Sequence, residues 1–381
     1  MLRSSIVTLA LAASRLVLAD TLTEVLQANQ DTLSTLTDLL GTVPDVVETL
    51  SGLNDITVLA PNNDAFSKLV ASNPTEGAEE ETNPELLTML LSYHVLNGTF
   101  NSSIFSTTPT IATTLLEDPT LTNMSTPQHV ELSLSDGEAT VFSGLKQPSL
   151  VVVADVPFDG GVIHIIDTVL NIPPDVSTAA MTYELTSLAG ALTQTNLLER
   201  VDTLEDVTVL APTNEAFAAI SSAATSLNDA QLAALLRYHI ILGKVAFSPD
   251  LLGATELKVM TLAGTEVTIR SSNGAVFINQ ARVTVTDVLV ENGVVHVIDS
   301  VLNPDAPDLT PNVESEEAAI GFEGATAGEA PFTENVAAVT ENVATGDSVT
   351  EAGEAESAAS SAGRSWILTA AIGVAVLLVN C

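Results

Sequence analysis

Thr57-Val58-Leu59-Ala60-Pro61-Asn62-Asn63-Asp64-Ala65-Phe66 returns as Thr208-Val209-Leu210-Ala211-Pro212-Thr213-Asn214-Glu215-Ala216-Phe217. Three further landmarks follow in the same order behind each copy. Tyr93-His94 is answered by Tyr238-His239, and Asp136-Gly137 by Asn273-Gly274. Gly161-Val162-Ile163-His164-Ile165-Ile166-Asp167 is answered by Gly293-Val294-Val295-His296-Val297-Ile298-Asp299. A repeat this long is a duplicated globular domain, because solenoid repeats run to about 20–50 residues.

The spacing between matched landmarks shrinks along the chain. Thr57 and Thr208 stand 151 positions apart, Tyr93 and Tyr238 145, Asp136 and Asn273 137, Gly161 and Gly293 132. Copy one therefore carries extra residues in every interval. The polar stretches 72–83 and 107–128 are expected to hold many of them as surface loops.

Local patterns place the elements. Thr57-Val58-Leu59 is apolar enough for a buried strand, Pro61 ends it, and Asn62 or Asn63 can cap the helix that follows. Asp64 then sits near the positive helix end while Phe66 enters the core. Asn83-Pro84-Glu85 is a second helix start, followed by an apolar stripe of Leu86, Leu87, Leu90 and Leu91. Leu232, Leu235, Leu236 and Ile240 repeat the stripe. Val130, Leu132 and Leu134 alternate up to Asp136-Gly137, and Val267 to Ile269 lead to Asn273-Gly274; both read as hairpins closed by residues that tolerate positive φ. The expected fold class is α+β, helices first and then a largely antiparallel sheet, in two tandem domains.

The chain ends carry their own signals. Residues 1–19 resemble a secretory leader, with Arg3, an apolar run and Val17-Leu18-Ala19 before Asp20. Trp366 to Val379 is a 14-residue run with only Thr369 and Gly373 outside the apolar class. That is short of the roughly 20 residues of a spanning helix. Small residues before it suggest a glycosylphosphatidylinositol attachment signal, with Ser357 as the attachment site and Ser360 as the alternative. Asn97, Asn101 and Asn123 stand in Asn-x-Ser/Thr acceptor motifs for N-glycosylation. The expected divisions are a leader (1–19), domain 1 (20–170), a short stiff linker (171–181), domain 2 (182–303), a disordered acidic Ser/Thr stalk (304–357) and a propeptide (358–381). These place the mature protein outside the cell, on the plasma membrane's outer face or in the cell wall.

Charge and cysteine usage exclude whole classes. The single cysteine, Cys381, leaves no disulfide or cysteine-based zinc site. Net charge is −37. From Asp20 to Leu170 there are 21 acidic and 2 basic residues, and from Asn171 to Pro304 14 and 6. Such a field repels nucleic acid and anionic lipid, so membrane contact is expected through the lipid anchor alone. No Gly-x-Ser-x-Gly elbow, phosphate loop or His-Glu-x-x-His pair occurs. No catalytic residue, cofactor or metal ligand is assigned. His164 and His296 lie three residues before Asp167 and Asp299, so along a strand each pair faces opposite sides and cannot act as one acid–base couple.

These landmarks resemble the fasciclin domain family. The first signature matches 57–66 and 208–217, the second 161–170 and 293–302, with the Tyr-His pair between them. The resemblance implies wedge-shaped sheets flanked by helices, commonly secreted or surface-anchored, in adhesion and matrix contact; leader, tandem domains, stalk and anchor signal resemble fungal and plant members. It also implies a receptor-contact role for Tyr93, His94, Val95 and Leu96, and for Tyr238, His239, Ile240 and Ile241. The alternative for these residues is structural, with the tyrosine hydroxyl tying the helix end to the sheet. Glycans on Asn97 and Asn101 would screen the first set, which favours the second. The functional expectation is a non-catalytic protein binding a cell-surface, wall or matrix glycan or protein. The alternative is a carrier or sensor holding a small apolar molecule or glycan in a domain cleft.

Overall fold

The computed structural model describes residues 20–72, 83–311, 313, 318–334 and 336. The expected leader and the segment holding Ser357 and Ser360 lie outside the described residues. Among those described, no helix is long and apolar enough to cross a membrane.

Domain 1 begins with three helices, α1 (Leu22–Ala28), α2 (Gln30–Thr42) and α3 (Pro44–Ser51). Strand β1 (Ile56–Pro61) leads into α4 (Asn63–Ser72), α5 (Pro84–Tyr93) and the short β2 (Val95–Asn97). The rest is sheet: β3 (Thr110–Thr113), β4 (His129–Ser135), β5 (Glu138–Phe142), β6 (Pro148–Phe158) and β7 (Gly161–Ile166). The strand order is β2-β1-β7-β6-β5-β4-β3. Only β1 and β7 pair in parallel. That pairing demands a long crossover, which the helices and the meander supply.

Domain 2 repeats the plan. Its helices α6 (Val176–Thr182), α7 (Thr186–Gln194) and α8 (Leu198–Asp202) precede β8 (Val207–Pro212). Then come α9 (Asn214–Ala219), α10 (Ser221–Ala224), α11 (Asp229–Tyr238), β9 (Ile240–Leu242) and α12 (Ser248–Leu252). The sheet is completed by β10 (Leu257–Met260), β11 (Glu266–Ser272), β12 (Ala275–Ile278), β13 (Ala281–Val290) and β14 (Gly293–Ile298). Its order, β10-β11-β12-β13-β14-β8-β9, is the same path.

The two hairpins predicted from Asp136-Gly137 and Asn273-Gly274 form, with φ of 52° at Asp136 and 51° at Asn273. Ile240, counted in a helical stripe, falls instead in β9, since the helix stops at Tyr238.

Alternation divides the core of each domain in two. In β1, Val58 and Ala60 face the helices, while Leu59 faces a second cluster with Tyr93, Leu96, Leu132 and Ile166. Every residue of β1 and β8 is buried, because both faces of the strand are covered. Strands β6 and β13 each shift register twice, at Val151/Val153/Val156 and Val283/Val285/Val288. These bulges bend a long strand so that it serves both halves of the wedge.

Gly161 and Gly293 begin the second signature for a steric reason. A Cβ on either would lie 1.9 Å from the carbonyl oxygen of Ile56 or Val207, and both residues have φ of +154°. Only glycine fits the backbone approach that starts the parallel pair.

The linker is shorter than expected. Residues Val176, Ala179 and Ala180 belong to α6 and to domain 2's core, leaving 171–175 as the connection. The domains pack directly. Gln128 Nε2 donates to Glu291 O at 2.8 Å, Asn123 N–H to Glu291 O at 3.0 Å, and Ser125 N–H to Asp206 Oδ1 at 2.9 Å. The rings of His129 and Phe247 meet at 5.1 Å.

The region expected as a disordered stalk departs from that expectation in part. Residues 318–334 return along domain 2. Ser300 Oγ donates to Ala319 O, Asn303 Nδ2 to Gly321 O at 2.9 Å, and Ser221 Oγ to Glu329 O at 2.9 Å. Phe322, Ala325, Phe332 and Val336 pack on the domain 2 core.

Candidate functional site

The first signature is a structural device in both domains. Asn62 Oδ1 accepts from Ala65 N–H at 2.7 Å, capping α4, and Thr213 Oγ1 accepts from Ala216 N–H at 3.1 Å, capping α9. The neighbouring asparagine reaches backwards instead: Asn63 Oδ1 accepts from Thr35 N–H, and Asn214 Oδ1 from Ser187 N–H. Thr57 Oγ1 donates to Gly98 O at 2.7 Å and accepts from Phe100 N–H at 2.8 Å. Thr208 does the same with Lys244 and Ala246.

The eight residues expected at a receptor contact are core residues. Exposure is 0% for Tyr93, 4% for His94, 2% for Val95 and 0% for Leu96. It is 0%, 1%, 2% and 1% for Tyr238, His239, Ile240 and Ile241. Tyr93 Oη donates to His129 O at 3.0 Å, tying the end of α5 to β4, and Tyr238 Oη donates to Glu266 O at 3.0 Å. Their apolar neighbours and helix geometry turn these side chains inward, so they form no exposed contact surface.

The histidines are wired in matching pairs. His94 Nδ1–H donates to Leu90 O at 2.8 Å while Nε2 accepts from Leu170 N–H at 3.0 Å. His239 repeats this with Leu235 O at 2.9 Å and Leu302 N–H at 2.9 Å. Each ring thus has one donor and one acceptor nitrogen engaged, which fixes the neutral tautomer. Burial pushes both down to about 4, the carbonyl bond opposing it only in part. His164 and His296 use the other tautomer. Nδ1 accepts from Asp155 or Asp287 N–H at 3.2 Å, and Nε2–H donates to Phe100 or Ala246 O. They pin the bulged strands to the loops opposite.

One grouping in each domain has the composition of a catalytic triad; in domain 2 Ser248 N–H donates to Asp287 Oδ1 at 2.8 Å and Asp287 N–H to His296 Nδ1 at 3.2 Å. Ser102 N–H donates to Asp155 Oδ1 at 2.7 Å, Ser102 Oγ donates to the same carboxylate, and Asp155 adjoins His164. The histidine meets only the aspartate's backbone, however, and its other nitrogen is held by a carbonyl. No proton can pass from Ser102 to His164. Among the described residues, no group of three or more His, Cys, Asp or Glu side chains is placed to hold a metal.

The expected acceptors differ in setting. Asn97 and Asn101 are exposed. Asn123 Nδ2 instead donates to Leu204 O at 3.2 Å across the domain boundary, so a glycan there would compete with the interface.

What the sequence reading missed is what lies against the helices beside the first signature. On domain 1 the space between α2, α4 and α5 is a narrow apolar crevice of about 20 Å³, room for roughly one water. Leu36, Leu39, Phe66, Leu69, Leu87 and Leu90 line it, with His94 and Val169 beneath. In domain 2 the returning segment lies against α7, α9 and α10. Phe332 sits edge-on to Phe217 at 6.2 Å, and Phe217 is the counterpart of Phe66. The one signal available was that Phe322 and Phe332 are the only aromatic residues between 304 and 357.

Comparisons with known proteins find relatives in sequence and in structure. The chain is 34% identical over 293 residues to a fasciclin-like arabinogalactan protein of Arthroderma benhamiae, covering 77% of this chain and 69% of the relative. It is 30% identical over 281 residues to the fasciclin-like arabinogalactan protein elcF of Phaeosphaeria nodorum, covering 74% and 88%. A solved FAS1 domain pair from the insect cell adhesion molecule Fasciclin I is 18% identical, covers 71% of this chain and 97% of that chain, and has a TM-score of 0.35. The Fasciclin domain family matches residues 31–173 and again 183–304, spanning both halves of the duplication. The chain belongs to the fasciclin domain family, as a tandem pair.

Proposed function

We propose that this chain is a non-catalytic, extracellular binding protein that contacts cell-wall or matrix components through the outer faces of its paired domains. Family membership supports an adhesion or matrix role. The observation that carries the non-catalytic part is the wiring of the repeated motifs: Thr57, Tyr93, His94 and His164, with their domain 2 counterparts, are engaged within the fold. A duplicated binding module gains from copy number through avidity. Attachment by a lipid at Ser357 or Ser360, glycosylation at Asn97 and Asn101, and export by the leader complete the proposal.

Beads coated with the purified protein are expected to bind wall fractions or arrayed glycans saturably. Failure on every wall fraction and glycan, with the protein folded, would defeat this reading. Release from cells by a phosphatidylinositol-specific phospholipase tests the anchor by itself.

A further inference from the structure

We propose that an N-glycan on Asn101 caps a docking face of domain 1, filling there the place that domain 1 itself fills on domain 2. The inference rests on the glycosylation proposed above and gives one of its sites a task.

The face is read from domain 2, where it is in use. Ser125 N–H donates to Asp206 Oδ1 at 2.9 Å, the His129 ring meets Phe247, and Leu145 N–H donates to Leu289 O at 3.4 Å. Glu291 O accepts from Asn123 N–H and from Gln128 Nε2. Asp287, two residues before Leu289, is fully buried. The matching residues of domain 1 are Asp55, Asn101, Asp155, Pro157 and Asp159. Shared bonds fix the match. Ser102 and Ser248 each donate N–H to the carboxylate of Asp155 or Asp287, which sets Asn101 against Phe247. Asp159 N–H donates to Asp20 O as Glu291 N–H does to Pro174 O, in each case just ahead of the first helix. All of these domain 1 positions are exposed. Near them stand Ile104, Val152 and Val153, which are 38%, 51% and 44% exposed. A face that makes one head-to-tail contact, and is repeated uncovered, invites another, because such contacts do not close.

A second copy of this chain is a poor occupant. The donors of domain 1 lie in 123–129 and 143–147, and its own domain 2 engages them. Domain 2 has those loops cut short. It runs from Thr261 to Thr265 where domain 1 runs from Thr114 to Gln128, each threonine bonding the carbonyl at the far end. Between the next two strands it has 279–280 where domain 1 has 143–147.

The acceptor motif supplies the occupant instead. Asn101 precedes a one-turn 3-10 helix, Ser102–Ile104, makes no capping bond and is exposed. Ser102 pins that turn to β6 through the Asp155 carboxylate, so a group attached at Asn101 stands over the face. Ser103, the hydroxyl of the motif, is exposed too. Attachment joins Asn101 Nδ2 to the anomeric carbon of a diphosphate-activated oligosaccharide; the bond to the diphosphate breaks and the amide releases one proton. The product is bulky and hydrophilic, suited to keeping a further domain off. Asn97 is the control. Its counterpart by register, Leu242, is 45% exposed, so that position lies open in both domains.

Hydroxyl-radical footprinting of the full-length protein secreted by a eukaryotic host, read by mass spectrometry, tests the cap. Ile104, Val153 and Pro157 are expected to be protected relative to Leu242 and Met260, which are exposed on domain 2. Treating the folded protein with a peptide-N-glycosidase, or substituting Asn101→Gln, should abolish that protection, while Asn97→Gln leaves it in place. The enzyme acts on the unaltered chain, which keeps the test valid if a variant misfolds. Equal labelling with and without the sugar overturns the proposal while the glycosylation itself stands. Protection that outlasts the sugar overturns it too, since another occupant then covers the face. A peptide mass showing Asn101 unmodified in the secreted protein defeats the glycosylation reading at that site, and this proposal with it.

Discussion

The helices beside the first signature share ancestry and register in the two domains, yet among the described residues only those of domain 2 are overlaid by a returning segment of the chain. Three positions account for the difference. Domain 2 has Ala189, Gly190 and Ala191 where domain 1 has Thr37, Asp38 and Leu39. Small residues let a backbone settle on a helix; larger ones keep it off. The closed face carries a cost, since Phe332 is held at φ of 64°, a conformation that bulky residues rarely adopt. Packing on the core and the bonds from Ser221, Ser222 and Asn303 offset that strain. Duplication thus preserved the framework while the surface of each copy took its own course.

Four perturbations probe how far the two domains are alike. The largest effect is expected where the domains agree. Gly161→Ala and Gly293→Ala each force a Cβ into the carbonyl of Ile56 or Val207, costing more than about 3 kcal/mol and unfolding that domain. Thermal unfolding should show the same loss in both; tolerance in either would refute the shared framework.

The next is Gly190→Asp, which gives domain 2 the residue of domain 1. The added atoms collide with Phe332 O and should release the returning segment, at about 1–3 kcal/mol. Hydrogen exchange should then lose protection at Gly328, whose N–H is bonded to Ala218 O. Retained protection would mean that the glycine is not what admits the segment.

Acidification acts on both domains together. His94 and His239 are held at about 4 when folded, below the ordinary value of 6.5. A depressed histidine contributes stability above the unfolded value, and loses it as pH falls from about 6.5 toward 4. Burial is the main cause, and geometry agrees with it, because protonation would aim Nε2–H at the N–H of Leu170 or Leu302. Melting temperatures should fall over that window, and a flat profile would contradict the neutral tautomers.

The smallest effect separates the domains. Asp167 lies lower than an ordinary carboxylate: burial raises it, but the Leu150 N–H, Lys68 and Thr168 outweigh burial. Its counterpart Asp299 is raised, chiefly by burial, since the position of Lys68 is Ala219 in domain 2. Lys68→Ala should cost under about 1 kcal/mol, as exposed ion pairs do. Carboxyl NMR should move Asp167 upward without shifting Asp299.

Much of this was legible in the chain. Pro61 ending a strand, Asn62 and Thr213 as caps, and Asp136-Gly137 and Asn273-Gly274 as turns are local rules, and local rules operate on neighbours in sequence. The Tyr-His pair was legible only as a repeat. That Tyr93 bonds across to His129, 36 residues away, and His94 to Leu170, 76 away, is a matter of what the fold brings near. Those contacts turned a candidate adhesion surface into a core clasp. The segment 318–334 was hidden for the opposite reason: its acidic, glycine-bearing composition holds no periodic stripe, and two phenylalanines ten residues apart are too few to suggest a packed element.

The amino-acid order alone settled that there are two equivalent modules, which strands and turns build each, and where glycine is obligatory. These follow from periodicity, capping and steric limits acting within a few residues. Folding in three dimensions decided which polar side chains stay hidden, how closely the modules press together, and where the segment 318–334 comes to rest. Those outcomes depend on contacts between segments far apart in the chain, and burial is a property of the assembled surface rather than of any stretch of sequence.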